Sequence, residues 1–257
     1  MNIKEYKEIY KQLNTYKDVK RLAKKNKMDE ELLFVIYTQK HIRTVKKKYY
    51  VITNKSKKLL KEWKQGKTFT QLAIEESFSP VMMAQILLKK MGKTKREVRA
   101  IMMDHESCSN KRIREEMHEV IGEDMVYSQM GAELQRERGE QGEAKIQKWL
   151  EKKGMGFRTE EDLRGEFPKT VDFLLDKPFE VNFETHPEEK RKIHWIESKG
   201  SFGDTRQLRR DHKKQLSKYV EMWGPGMVVY WFGYLEGLEL FLEARDVKIV
   251  RHEFFES

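Results

Sequence analysis

The chain has 257 residues, enough for one or two domains with a real core, and 37% of them are charged against 38% hydrophobic. That balance excludes a membrane-embedded bundle, since the longest apolar stretch, MVVYWFGYL, is far shorter than a bilayer span. A single cysteine, Cys108, excludes an internal disulfide, and the charged start MNIKEYKEIYKQL lacks a signal peptide's apolar core, so a soluble intracellular protein with no membrane partner is expected.

The net charge of +10 is unevenly spread. Residues 1–100 carry 26 Lys+Arg against 10 Asp+Glu, whereas residues 101–257 carry 26 against 32. This segregation predicts two domains, a basic helical one over 1–105 and a second over 106–257. The basic part suits a polyanion, for which nucleic acid is the commonest choice; a Lys-rich solvated surface is the bland alternative.

Along the chain, ELLFVIYTQKHI and KKLLKEWKQG read as short amphipathic helices, with Gly66 a stop signal. FTQLAIEESFSPVMMAQILLKKMG reads as two helices about a tight turn. Leu72 and Ala73 sit on the first; Ser79 caps the second, Pro80 opens it, and Ala84, Leu87 and Leu88 follow at helical spacing. This is a helix-turn-helix pattern, which either reads DNA or packs as any helical hairpin does. Residues 92–112 are polar and read as a linker or a domain boundary. From Lys111 to Lys153 the chain is helical again, with a break expected near Gly139 or Gly142; its last stretch buries Ile146, Trp149 and Leu150 and stops at Gly154.

Strands are expected at TVDFLLD and KIHWIESK, separated by the charged, hairpin-like ETHPEEKRK. A helix over RQLRRDHKKQLSKYVEMWG follows, turning Leu216, Tyr219, Val220 and Trp223 inward. GMVVYWFGY reads as a buried strand, with edge strands at LELFLEA and VKIVRHEF. The order predicts a compact α/β layer with a mixed sheet.

Six Glu-x-Lys triplets occur, at 5/7, 62/64, 143/145, 151/153, 188/190 and 197/199. Four fall in helical stretches, where positions two apart diverge, and Glu188/Lys190 falls in the charged loop. Only Glu197 and Lys199 read as strand residues sharing one face. They follow a strand in which Asp172 stands among apolar neighbours. Buried charge is costly unless paired or metal-bound, and two carboxylates on neighbouring strands suit a hard, oxygen-liking cation such as Mg²⁺. Lys199 beside them would orient or deprotonate an attacking water, or stabilise charge on a phosphate. The competing reading is a strand-ending Asp172 and an ordinary Glu197–Lys199 ion pair. Glu143, one helix earlier, and Gln215, one helix later, are positioned to join the cleft. Arg206, Arg209, Arg210, Lys213 and Lys214 place positive charge where a strand's phosphates would run. His194 faces away from Glu197, and His194 and His212 read as structural.

The stretches KTVDFLL, IHWIESKGSFGD and WGPGMVVYWFGY resemble the codanin-interacting nuclease family, a eukaryotic branch of the PD-(D/E)xK superfamily related to archaeal Holliday-junction resolvases. The resemblance is clear over 139–234. It implies an α/β fold with a restriction-endonuclease-like mixed-sheet core, preceded by an all-helical N-terminal domain containing a helix-turn-helix. It implies metal-dependent phosphodiester cleavage with Mg²⁺ or Mn²⁺, on DNA in preference to RNA and on branched or structured forms. Asp172, Glu197, Lys199 and Gln215 take the catalytic positions, and Asp172, Glu197 and Glu143 the metal positions. A nuclear setting (with a cytoplasmic pool as the variant), a codanin-like scaffold partner and, by analogy with resolvases, a homodimer also follow. The family's Thr-Pro-Asp appears here as Thr170-Val171-Asp172, which keeps the acid and loses the proline, and Gly200 replaces an expected alanine. A catalytically silent nucleic-acid-binding or scaffold-bound module is the alternative function.

Overall fold

The computed structural model describes residues 1–256, apart from the side chain of His186; Ser257, the last residue of the expected second domain, lies outside the described residues. Eight helices precede the first strand: α1 (Ile3–Gln12), α2 (Tyr16–Asn26), α3 (Glu30–Lys64), α4 (Phe69–Glu75), α5 (Pro80–Lys90), α6 (Lys95–Met103), α7 (Lys111–Glu123) and α8 (Gln129–Lys152). Then come β1 (Phe157–Thr159), α9 (Glu160–Leu163), β2 (Phe173–Phe183), β3 (His186–Lys199) and α10 (Thr205–Asp211). A π-helical turn (His212–Leu216) leads into α11 (Ser217–Trp223), β4 (Gly226–Tyr230), α12 (Glu239–Glu243) and β5 (Val247–Val250). None of the described helices is long and apolar enough to cross a membrane.

The chain forms two compact units, and they do not follow a cut at 105/106. One comprises residues 1–13, 17–36 and 137–257; the other comprises 14–16 and 37–136. Part of the basic N-terminal stretch therefore belongs with the sheet: the Tyr6 hydroxyl donates to Asp204 (2.6 Å) and its ring stacks on Phe202.

The helical unit is built from α4 to α7 and most of α3. Instead of two short helices, α3 runs unbroken for 35 residues. Val45, Tyr49, Ile52, Ser56, Leu59 and Trp63 repeat in alternating steps of four and three, so the polar stretch between the two expected helices carries a continuous inward stripe. At its end, buried Glu116 accepts from the Trp63 indole (2.9 Å), the Phe69 amide (3.0 Å) and Arg112 (2.7 Å). Ser79 caps α5, accepting from the Met82 amide (3.0 Å), and Pro80 stands at its first position, as expected; the Ser79 hydroxyl also donates to Asp124. The expected linker at 92–112 instead contains α6, started by a Thr94–Glu97 capping box and held by buried Val98 and Ile101.

The other unit carries a five-stranded mixed sheet in the order β1-β2-β3-β4-β5. β1, β2 and β3 pair antiparallel; β3, β4 and β5 pair parallel. One face packs Ile146, Trp149 and Leu150 of α8 against Phe173, Ile196, Met227 and Val229. The other packs Leu208, Leu216 and Tyr219 against Trp195, Val228 and Tyr230. α8 passes through Gly139 and Gly142 without a break, because the interruption falls at 124–128. LELFLEA forms α12 rather than an edge strand: β4 and β5 are parallel, so a crossover must separate them. The charged loop also needs correction, because β3 begins at His186 and includes Glu188 and Lys190. Those two differ from Glu197 and Lys199 in being exposed, not in lacking a strand.

Glycine explains part of the WGPG motif. A Cβ at Gly226 would overlap the Trp195 ring, whose Nε1–H bonds the Gly224 carbonyl (2.9 Å). The aromatic plug under β3 and β4 therefore needs a residue without a side chain there.

Candidate functional site

The parallel register pairs Glu197 with Val228 and Lys199 with Tyr230, so the triplet ends β3 beside buried β4. Period two turns Trp195, Glu197 and Lys199 to the face covered by α10, the π turn and α11. Asp172 stands just before β2, the neighbour of β3 on its other side. Its carboxylate accepts from the Ser198 amide (2.6 Å), which ties it to the middle of the triplet.

Glu197 is 3% exposed. One of its oxygens accepts from Lys199 Nζ; the other, Oε2, is buried with no hydrogen-bond partner. Burial, then the charge of Asp172, pushes the Glu197 carboxyl up to about 8. Burial also raises Asp172, although the Ser198 amide and Lys199 work against it. Lys199 is buried too, which disfavours its charge, yet Glu197 and Asp172 outweigh that and hold it above its ordinary value. The ammonium form of Lys199 is thus the favoured one beside these carboxylates. Its second partner is Gln215 Oε1 at 3.0 Å.

Gln215 reaches Lys199 from the π turn, where the Ser217 amide donates back to the His212 carbonyl, five residues earlier. Such insertions re-aim side chains within a helix and concentrate at functional sites. One turn on, the Tyr219 hydroxyl donates to the Thr170 carbonyl (2.7 Å), fixing the segment that carries Asp172. Sequence reasoning placed Tyr219 in the core only; its spacing of four from Gln215 was the available signal.

Glu143 arrives from α8. A Cβ at Gly142 would collide with the Trp231 indole nitrogen and the Ser198 hydroxyl, which bond each other at 2.8 Å. Glycine thus lets α8 lie directly against the end of β3 and brings Glu143 to the cluster. Burial first, then Asp172, pushes its carboxyl up to about 7. Glu143 stands at the rim: among the described residues, Glu143, Asp172 and Glu197 do not bring one oxygen each within 4.8 Å of the other two. An alanine would fit at Gly200, where a Cβ makes ordinary contacts at 3.7 Å with Arg138 and Gly139.

Asp172 and Glu197, the latter with an unbonded buried oxygen, offer hard oxygen donors side by side, while Glu143 stands outside that pair. A divalent cation fits such a set. Arg206, Arg209, Arg210, Lys213 and Lys214 are all exposed on α10 and the π turn, and Arg210 also pairs with buried Asp211. Asp211, missed in the sequence, accepts from Gln207 and from the Tyr230 hydroxyl (3.0 Å) and adds to the negative field on Lys199. Asp204 caps α10 by accepting from the Gln207 amide (2.8 Å), so the end of the GSFGD stretch is structural. His194 and His212 make no contact with Asp172, Glu197 or Lys199 among the described interactions.

The chain is 29% identical over 177 residues to the mouse protein named CDAN1-interacting nuclease 1, and 28% identical over 176 residues to its human namesake. These alignments cover 66% and 65% of this chain, and the chain spans about 60% of the length of either relative. A zebrafish protein of the same name is 35% identical over 91 residues, 35% of this chain and 28% of its own. No solved structure matches significantly. Residues 109–253, more than half of the chain and all of the segment that supplies Glu143, Asp172, Glu197, Lys199 and Gln215, match the family described as "Protein of unknown function TPD sequence-motif". The chain belongs to that family.

Proposed function

We propose that this chain is a metal-dependent nuclease with a PD-(D/E)xK, restriction-endonuclease-like core, cutting phosphodiester bonds in nucleic acid. The observation that carries the reading is Glu197: a buried carboxylate with a free oxygen, flanked by Asp172 and by an ammonium that Gln215 holds in place. The relatives' name, nuclease, supports the same class of activity.

Asp172 and Glu197 would hold the cation, Mg²⁺ or Mn²⁺, with Glu143 swinging in from the rim. Such a cation would supply Lewis acidity at the phosphate and to the attacking water. Lys199, kept charged, balances the negative charge that builds on the phosphate. Gln215 fixes the Lys199 side chain, and Tyr219 fixes the approach to Asp172. The exposed cations of α10 and the π turn would run along the backbone of the substrate, for which DNA with branches or flaps is the favoured form. The α4–α5 pair is read as a helix-turn-helix that adds duplex contacts. A codanin-like scaffold, as the relatives' name indicates for them, a nuclear location and a homodimer complete the proposal.

A cleavage panel of branched, flapped, single-stranded and duplex DNA and RNA, with and without Mg²⁺, tests the activity. Asp172→Asn and Glu197→Ala are expected to abolish cleavage while leaving binding intact. A variant that cuts at the wild-type rate removes its residue from the site. Wild-type protein that binds but cuts nothing moves the reading to a silent binding module.

A further inference from the structure

Between α6 and α7, in the helical unit, three side chains converge that the nuclease reading does not use. His105 and Glu106 open the turn after Asp104, which caps α6, and His118 lies two turns into α7. One donor atom from each of His105, Glu106 and His118 lies within 4.8 Å of the other two. The two imidazole centroids are 5.8 Å apart. His105 Nε2 is buried and makes no hydrogen bond, even though a Glu106 oxygen stands 3.4 Å away. A ring nitrogen taken out of water and left unbonded is costly unless something accepts or shares its lone pair.

We propose that His105, Glu106 and His118 form a zinc site. Zinc takes imidazole nitrogens at about 2.0–2.1 Å and carboxylate oxygens at about 2.0–2.2 Å in a tetrahedron, whose donor atoms stand about 3.4 Å apart. The donors therefore need to close by little more than about 1 Å, and Glu106 and His118 are exposed and free to rotate. Two imidazoles and one carboxylate select zinc over magnesium, which demands oxygen, so this site and the carboxylate cluster take different metals. The fourth position holds water. Bound there, zinc staples the 104–110 turn to α7, next to a core that includes Cys108, Ile113 and Met117. The Cys108 amide, donating to the His105 carbonyl (3.1 Å), already shapes the turn for it.

The test uses the full chain carrying Asp172→Asn and Glu197→Gln, so that the carboxylate cluster takes up no metal. Cobalt is added first, as a visible reporter, and zinc second. The expected result is one cobalt per chain with the intense visible absorption of tetrahedral coordination, displaced by one zinc, and a higher melting temperature with zinc. His105→Ala and His118→Ala, added separately, are expected to abolish the absorption and the zinc-dependent shift while melting like the metal-free parent. Absence of tetrahedral cobalt, or a spectrum and shift that survive both substitutions, overturns the site. None of these readouts depends on nuclease activity.

Discussion

Ionising Glu197 is costly because its carboxyl is buried. In the metal-free protein its carboxyl is raised from an ordinary 4.5 to about 8, and Glu143 to about 7. Between those values the folded chain keeps protons that the unfolded chain releases, so stability falls as pH rises through that window. Glu197→Gln, which stays neutral, is expected to flatten the decline, read as melting temperature across about pH 5 to 8 without divalent ions. A steeper decline in the variant would contradict the raised carboxyl. By the same proton count, affinity for Mg²⁺ or Mn²⁺ is expected to increase with pH over this range, because binding displaces those protons.

At the scale of elements, two local arrangements set what the rest can do. Gly142 lets α8 lie against the end of β3 and Trp231, and Gly142→Val is expected to cost about 1–3 kcal/mol by overpacking against Trp231 and Ser198. Cleavage should drop further than stability, because Glu143 rides on the same turn; denaturant melts and rate measurements on one preparation separate the two. In the helical unit Ser79 both caps α5 and donates to Asp124, so Ser79→Ala is expected to cost about 2 kcal/mol. A loss under about 0.5 kcal/mol would mean that water replaces both bonds.

Across the molecule, charge is the property that nucleic-acid binding should report. The five exposed cations on α10 and the π turn predict affinity that falls steeply with salt. Arg209→Ala or Lys213→Ala, each removing one cation from the phosphate track, should lower the log–log salt slope by about 0.9 on duplex DNA, with little change in sequence preference. An unchanged slope would leave those cations as a solvated face.

Much of this was legible locally. Ser79-Pro80 announced the start of α5, the apolar strands announced the sheet, and Glu197 with Lys199 stood out as a same-face pair at the end of a buried strand. These are short-range properties: a cap, a periodicity of two, a hydrophobic run. The continuous α3 was legible as well, in its steps of four and three, but the polar residues between hid it. What the sequence by itself determined was which residues favour helix or strand and which acids would be costly to bury. Only the tertiary structure decided which acids meet, because that depends on the close approach at Gly142, on the π turn that aims Gln215, and on Asp172 reaching the Ser198 amide across 26 positions. It also decided that residues 1–13 and 17–36 group with the sheet, since Tyr6 finds Asp204 through space and no charge count along the chain encodes that pairing.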